Sequence, residues 1–410
     1  MRPSWHLFAC AALLSTCNGG LTDGSASGST SFTTGASDSI HTPTGEDSAP
    51  KLDLAAAPDV GADACGPVNG DLGLSFIWIA NSTQGTISKI DTDELRERGR
   101  YIVRPDSAGD PSRTSVNLDG DVAVANRSGG VTKVFALADR CADTNDTPGV
   151  QTSTSSESLP WGVEECVAWH TPMAYASQRP VAWTHGVFNP STCRREHQKL
   201  WTAGSNTPGT VDILRLDGDT GEVEATVTIS GVLADMYGVY GGAVDTRGNF
   251  WGSQVGHGKL IFVDAETLEH KLWDTPHGAY GITIDSHGRV WVCSGNAQRF
   301  DPTSETWSSV AAGEYGGCME DGAGTLYKPT PGGILALDTE TLTIQRTYEL
   351  PQHIHGISVD FNGYVWGVSQ GEEAYRLDPA DGSYKTITGL VGAYTYSDMT
   401  GFALSNTYVP

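Results

Sequence analysis

The sequence predicts an all-β chain folded as a seven-bladed β-propeller of four-stranded antiparallel blades, and three observations predict it. The first is a recurring turn between two apolar runs. Its fullest copy is Gly281-Ile-Thr-Ile-Asp285-Ser-His-Gly288-Arg-Val-Trp291. Echoes are Val244-Asp245-Thr-Arg-Gly248-Asn-Phe-Trp251, Glu320-Asp321-Gly-Ala-Gly324-Thr-Leu-Tyr327 and Val359-Asp360-Phe-Asn-Gly363-Tyr-Val-Trp366. The Asp anchors fall at 245, 285, 321 and 360, so the steps are 40, 36 and 39 residues. The second observation is an alternating run ending in Asp after each copy, such as Ile261–Asp264, Ala297–Asp301, Ile334–Asp338 and Ala374–Asp378. A turn cluster and a further strand follow it. The third is a pair of matching gaps. The first unit lacks its first strand, and Tyr396-Ser-Asp-Met-Thr-Gly401-Phe-Ala-Leu404 near the chain end resembles that strand, with Gly401 in the place of Gly281. The chain end is therefore expected to complete the first blade and close the ring, which removes the open edges.

Taken in order, the first residues read as an export signal. Leu7 to Leu14 is a short apolar core behind Arg2, too short to span a bilayer, and Leu14-Ser15-Thr16-Cys17 has the form of a bacterial lipobox. Residues 1–17 are thus read as a signal peptide with Cys17 as the lipid site. Residues 18–65 are rich in Ser, Gly and Thr and are read as a disordered linker, because they carry too little apolar surface to bury. Six cysteines remain once Cys10 and Cys17 are set aside, an even number that points to disulfides in an exported chain. Cys141 with Cys166 and Cys293 with Cys318 are the expected pairs, which leaves Cys65 with Cys193.

Residues 66–410 form the expected propeller. Its units are placed at 74–104, 112–137, 183–230, 237–273, 277–311, 314–348 and 353–389. Residues 138–182 break the period and read as a disulfide-stapled insertion between the second and third blades. Within it Asp143-Thr-Asn145-Asp146-Thr147 has alternate oxygen donors. The displaced Gly149 and the missing glutamate make it a polar turn rather than a calcium loop.

The composition narrows the function. The chain has 50 Gly among 410 residues, which suits many tight turns, and a formal net charge of −24. Its only basic run, Arg194-Arg195 with Lys199 nearby, is too small for a nucleic-acid footprint. The expected partner is a small molecule, a peptide or an envelope protein. Membrane contact is expected only through the lipid anchor, and the expected state is a monomer.

The blade motif V/I-D-x-x-G-x-(V/F)-W followed by an Asp-ended strand resembles the virginiamycin B lyase-like (streptogramin lyase-like) propellers and their relatives with NHL repeats. The resemblance covers about residues 74 to 405. It implies a propeller, and for the lyases an elimination that opens a cyclic depsipeptide at its ester bond with a divalent metal, usually magnesium. In that family the Trp is commonly followed by Phe-Thr-Glu. Here the equivalents are Trp78-Ile-Ala-Asn81, Trp251-Gly-Ser-Gln254, Trp291-Val-Cys-Ser294 and Trp366-Gly-Val-Ser369, and none carries the Glu. No catalytic residue is carried over from the family.

The innermost strands of a propeller line its channel, so residues just before each inner strand face one mouth. Aligned on Gly281, that column reads Thr400, Ser112, His185, Tyr240, Tyr280, Gly316 and His355. Slightly upstream lie Asp398, Tyr237, His277, Glu314 and His353, and Arg113 takes the Gly place in its own blade. This rim is expected to be the ligand-facing surface. The first expectation is a binding role, with His185, Tyr237, Tyr240, Tyr280, His353 and Arg113 as contacts. The alternative is a metal-dependent lyase or hydrolase. There His277 or His355 would act as base, and Glu314 with Asp398 would help to hold magnesium or a similar divalent metal. The Asp285 and Trp291 positions are read as scaffold.

Overall fold

The computed structural model describes residues 75–206, 210–233 and 235–407. The expected signal peptide, the expected lipid site Cys17, the stretch read as a linker (18–65) and Cys65 lie outside the described residues. What is described is a seven-bladed propeller: seven antiparallel sheets in chain order, with the first strands of successive blades side by side around the channel.

Blade one has β1 (Phe76–Asn81), β2 (Thr86–Asp91) and β3 (Arg96–Ile102). Blade two has β4 (Pro111–Val116), β5 (Val122–Asn126), β6 (Val131–Val134) and β7 (Val167–Thr171). Blade three pairs β8 (Ser177–Trp183) with β11 (Lys199–Ser205), β12 (Val211–Asp217) and β13 (Val223–Ile229). A side hairpin, β9 (Val187–Asn189) with β10 (Arg194–Glu196), interrupts it after β8. Blades four to seven are the regular ones. Their inner strands are β14 (Val239–Val244), β18 (Gly281–Ile284), β22 (Met319–Glu320) and β26 (Ile354–Val359), each followed by three more strands in simple meander order.

The repeated Asp explains the regularity. Asp285 accepts the backbone N–H groups of His287 and Arg289 on Oδ1, which fixes the hairpin turn. Its Oδ2 accepts the indole N–H of Trp291 at 2.8 Å. Asp245 with Trp251 and Asp360 with Trp366 repeat the bond at 3.0 and 2.7 Å. One carboxylate thus ties the turn to the indole, and the indole packs between blades. Trp291 lies in a core with Leu326 and Leu335 of the next blade, and Trp251 in one with Ile282 and Phe300. A buried indole removes roughly 200 Å² from water, about 5 kcal/mol at 25 cal/mol/Å². The Asp at the end of the third strand does a smaller job: Asp264 accepts the N–H groups of Glu266 and Thr267 and shapes the next turn.

Two expectations are corrected here. The period break does not separate blades two and three. It falls inside blade two, between β6 and β7, and residues 135–166 form the excursion. The fourth strand, Val167–Thr171, escaped notice because an outer strand is only partly buried and need not alternate cleanly. The inner strand of blade three is therefore Ser177–Trp183, upstream of the expected unit at 183–230. Its Pro180 and Arg179 hid it, because Pro gives no ladder N–H. Within the excursion Glu165 accepts the N–H groups of Thr144, Asn145 and Gln151, so its polar turn is closed by backbone bonds. Cys141–Cys166 and Cys293–Cys318 are disulfides. Cys193 is disulfide-bonded too, and the pairing expected for it lies outside the described residues.

The second correction concerns ring closure. The chain end does lie against β1, but through residues 392–399. The Ser82 N–H donates to Gly392 O at 3.1 Å, the Tyr394 N–H to Ala80 O at 3.1 Å and the Trp78 N–H to Met399 O at 2.9 Å. The Ala80 N–H is taken by the Thr395 hydroxyl at 2.8 Å. Gly401, at φ 86°, is not a strand glycine but the start of a short helix, α1 (Phe402–Asn406). The turn into it is made by Asp398, whose carboxylate accepts the N–H groups of Thr400, Gly401 and Leu404.

Candidate ligand-binding site at the channel mouth

The two ends of the channel are built differently. At the far ends of the inner strands, α1 lies across the opening. The His185 ring nitrogen Nε2 meets Leu404 O at 2.9 Å and the Thr407 hydroxyl at 3.1 Å, and the Thr400 hydroxyl bonds Val359 O at 2.6 Å. Beneath α1 the channel keeps a cavity of about 40 Å³, lined by residues such as Ala182, Ala243, Thr283 and Leu404. That is room for a water or two. Burial pushes the Asp398 carboxyl up to about 6, against its backbone bonds, and holds the His185 imidazole down at about 4. Both residues belong to this plug, so the structure takes them out of the rim in which the sequence placed them.

The near end holds the rest of the column. In four blades the inner strand bulges there: Ser112, Arg179 with Pro180, Tyr240 and His355 are the extra residues in the ladder. A bulge turns its side chain out of the alternating pattern, and here it aims it at the axis. Glycine follows the column where inner strands crowd. A Cβ on Gly281 would sit 2.3 Å from Gly316 O, and one on Gly356 1.9 Å from Thr395 O. Arg113 stands at this glycine place in its blade, and its side chain fills the channel.

The resulting cluster is aromatic and cationic. The hydroxyls of Tyr240, Tyr280 and Tyr394 lie 2.8 to 3.0 Å apart in a triangle. His355 Nε2 reaches the Tyr280 hydroxyl at 3.1 Å. Each phenol carries one proton, so the set closes when the three phenols donate around the triangle and His355 donates from Nε2. Burial first, and then Arg113, hold the His355 imidazole down at about 3, so it is neutral. The Arg113 guanidinium carbon lies 3.0 Å from the centroid of the Tyr396 ring and 4.6 Å from that of Tyr240. Its Nε donates to Tyr240 O and its Nη1 to Ser112 O, while Nη2 has no hydrogen-bond partner among the described residues. Arg113 is 0 % exposed, and burial brings its guanidinium down to about 10. Arg179 stacks on Tyr240 at 4.9 Å and Arg127 on Tyr394 at 4.8 Å. Tyr394 feels both signs: burial raises its phenol, and Arg113, the bonds with Tyr240 and Tyr280, and Arg179 outweigh it, so it falls below its ordinary value.

Of the expected rim, Tyr240, Tyr280, His355 and Arg113 are brought together. Tyr237 stands at the edge of the cluster, 5.9 Å from Tyr240 and 42 % exposed. His277 is exposed on a loop, and its backbone N–H is held by Gln298. His353 and Glu314 form a pair at 3.4 Å on the surface. The residues expected to share a metal and a base are therefore apart. Among the described residues no three His, Cys, Asp or Glu side chains come close enough to hold a metal ion. Arg179, Tyr394 and Tyr396 were missed. Arg179 precedes the Pro that breaks its strand pattern, and the two tyrosines sit in a closing segment with little ladder of its own.

The site and fold define a propeller sealed at one end and lined by tyrosine and arginine at the other. No family model and no curated protein matches the sequence. Solved structures do match. The WD40 repeats of RRP9 share 10 % identity over 72 % of this chain and 84 % of that one, with a TM-score of 0.54. The Pan2 WD40 domain of Neurospora crassa shares 13 % over 79 % and 88 %, at 0.51. A catalytically inactive virginiamycin B lyase from Staphylococcus aureus, with quinupristin, shares 13 % over 68 % and 84 %, at 0.47. At such identities the likeness is one of fold.

Proposed function

We propose that this chain is an exported, lipid-anchored propeller that binds a small molecule, a peptide or an envelope partner at its open mouth. One observation carries the reading: the inner strands bring Tyr240, Tyr280, His355 and Arg179, and the closing segment 392–399 brings Tyr394 and Tyr396, to one end of the channel, while α1 covers the other. Aromatic rings with a few convergent polar groups in a concave place are what ligand sites are made of. Tyr237 and Tyr315 stand exposed around it and give further apolar surface. Export is supported by the disulfides Cys141–Cys166 and Cys293–Cys318, since such bonds persist in oxidising compartments.

Two experiments test this. The full chain is titrated with a panel of neutral, anionic and cationic aromatic compounds and short peptides, followed by tyrosine near-UV circular dichroism. Binding that disappears in Tyr315→Ala or Tyr280→Phe is expected, and ligands that bind equally well to those variants would place the site elsewhere. For the anchor, Cys17→Ser is expected to move the protein from the membrane to the soluble fraction. Unchanged partitioning would refute lipidation at that residue.

A further inference from the structure

The mouth has a charge problem that the binding reading alone does not address. Arg113 is fully buried, yet its guanidinium has two backbone carbonyls and three aromatic rings for company and no carboxylate among the described residues. A buried cation without a counter-ion is costly, and such groups are normally paired. Arg179 adds a second: half-buried, it holds Ser177 Oγ with Nε and has no carboxylate partner among the described residues. Of the three arginines at the mouth, only Arg127 has one, Asp110. All this occurs in a chain whose net charge is −24.

Aromatic cages usually take cations, because the ring faces are electron-rich. Here that place is already filled. Arg113 lies on the Tyr396 and Tyr240 faces, Arg179 on Tyr240 and Arg127 on Tyr394, so an incoming cation would meet guanidinium groups instead of free faces. An incoming anion would find donors with unused capacity: Arg113 Nη2, which lacks a hydrogen-bond partner among the described residues, and the outer nitrogens of Arg179. Around them the rim is apolar. Tyr237, 42 % exposed, and Tyr315, 52 % exposed, stand edge-on to Tyr240 and Tyr280 at 5.9 and 5.8 Å.

We propose that the mouth is an anion site for a small amphiphilic ligand. Arg113 and Arg179 take its carboxylate or phosphate monoester, and Tyr237 with Tyr315 covers its apolar part. The proposal rests on the mouth being the ligand-facing end. It adds the sign and chemistry of the ligand.

The test uses the full chain and four probes read by isothermal titration: phenylacetate, phenyl phosphate, benzyl alcohol and phenethylamine. The anionic probes should bind at least tenfold more tightly than benzyl alcohol, with phenethylamine weaker still. Their affinity should fall as salt is raised. The order of phenylacetate and phenyl phosphate decides between the two head groups. Arg179→Met should weaken anion binding at least fivefold with little change in melting. Arg113→Met should weaken it tenfold or more. If that variant does not fold, Arg113→Lys, which keeps the charge but not the fork of donors, should fold and bind anions several-fold more weakly. Benzyl alcohol or phenethylamine binding at the mouth as tightly as the anions, with loss in Tyr315→Ala, would overturn the anion proposal and leave the binding reading standing. Anion binding untouched by Arg179→Met and by the Arg113 variant would overturn it as well. No binding of any probe at the mouth would count against both.

Discussion

The chain end should close the ring, and Met399 is where that can be measured. Its side chain is 0 % exposed and packs with Ile77, Ile79, Trp366 and Val368, so it joins the first blade to the seventh. Its carbonyl accepts the Trp78 N–H, a bond that a side-chain change leaves in place. Met399→Ala removes three heavy atoms from a sealed core. Such truncations cost about 2 to 5 kcal/mol, made of lost transfer free energy and the cavity left behind. The neighbours are held in two different sheets and relax little, so a value of about 3 kcal/mol is expected. For a domain of this size that lowers the melting temperature by roughly 4 °C. The control is Met236→Ala: Met236 is 67 % exposed, and its loss should change stability by less than about 0.5 kcal/mol. Both are read by calorimetry and by urea unfolding. If Met399→Ala melts with the wild type, the chain end does not seal blade one to blade seven, and the closure argument fails.

Two more outcomes follow from the buried groups and the disulfides. His355 is held at about 3, so between that value and its ordinary 6.5 the unfolded chain binds a proton that the folded chain refuses. Its contribution therefore shrinks as pH falls through that window. His355→Gln should flatten the fall in melting temperature from about pH 6.5 to 4, and an unchanged slope would show that His355 is not buried. Asp398, raised to about 6, acts oppositely: it keeps a proton that the unfolded chain releases above its ordinary 3.8, so its contribution is lost as pH rises through that window. Asp398→Asn should remove that loss. Each disulfide closes a loop with a sequence separation of 25, worth about 3.5 kcal/mol in the chain-entropy description. Cys141→Ser with Cys166→Ser should lower stability by about that amount while the regular blades keep their far-ultraviolet signal. A change below about 1 kcal/mol would mean that the loop is held by its backbone bonds alone.

The regular blades were legible because one short motif states both of their local constraints. Asp285 needs a hairpin turn to receive backbone N–H groups, and Trp291 needs a neighbouring blade to cover it. The same logic found Tyr240, Tyr280 and His355, since each stands one residue before the repeated glycine of its inner strand. It failed at blade three. There Pro180 masks the inner strand, and His185, chosen in place of Arg179, lies at the opposite end against α1. It failed again with Asp398, whose oxygens are spent on the backbone of the final turn.

By itself the sequence determined the architecture: the number of blades, the turn carboxylates, the indoles between blades, and two disulfide pairs. These rest on contacts between residues close in sequence or in adjacent repeats, and such contacts leave a period. Only the tertiary structure decided which end of the channel α1 covers, and that Arg113 lies among tyrosines with no carboxylate partner among the described residues. Those facts join residues from blade two, from blade four and from the chain end, at separations such as 127 and 283 residues. No period records a contact that is made once, across the axis of a closed ring.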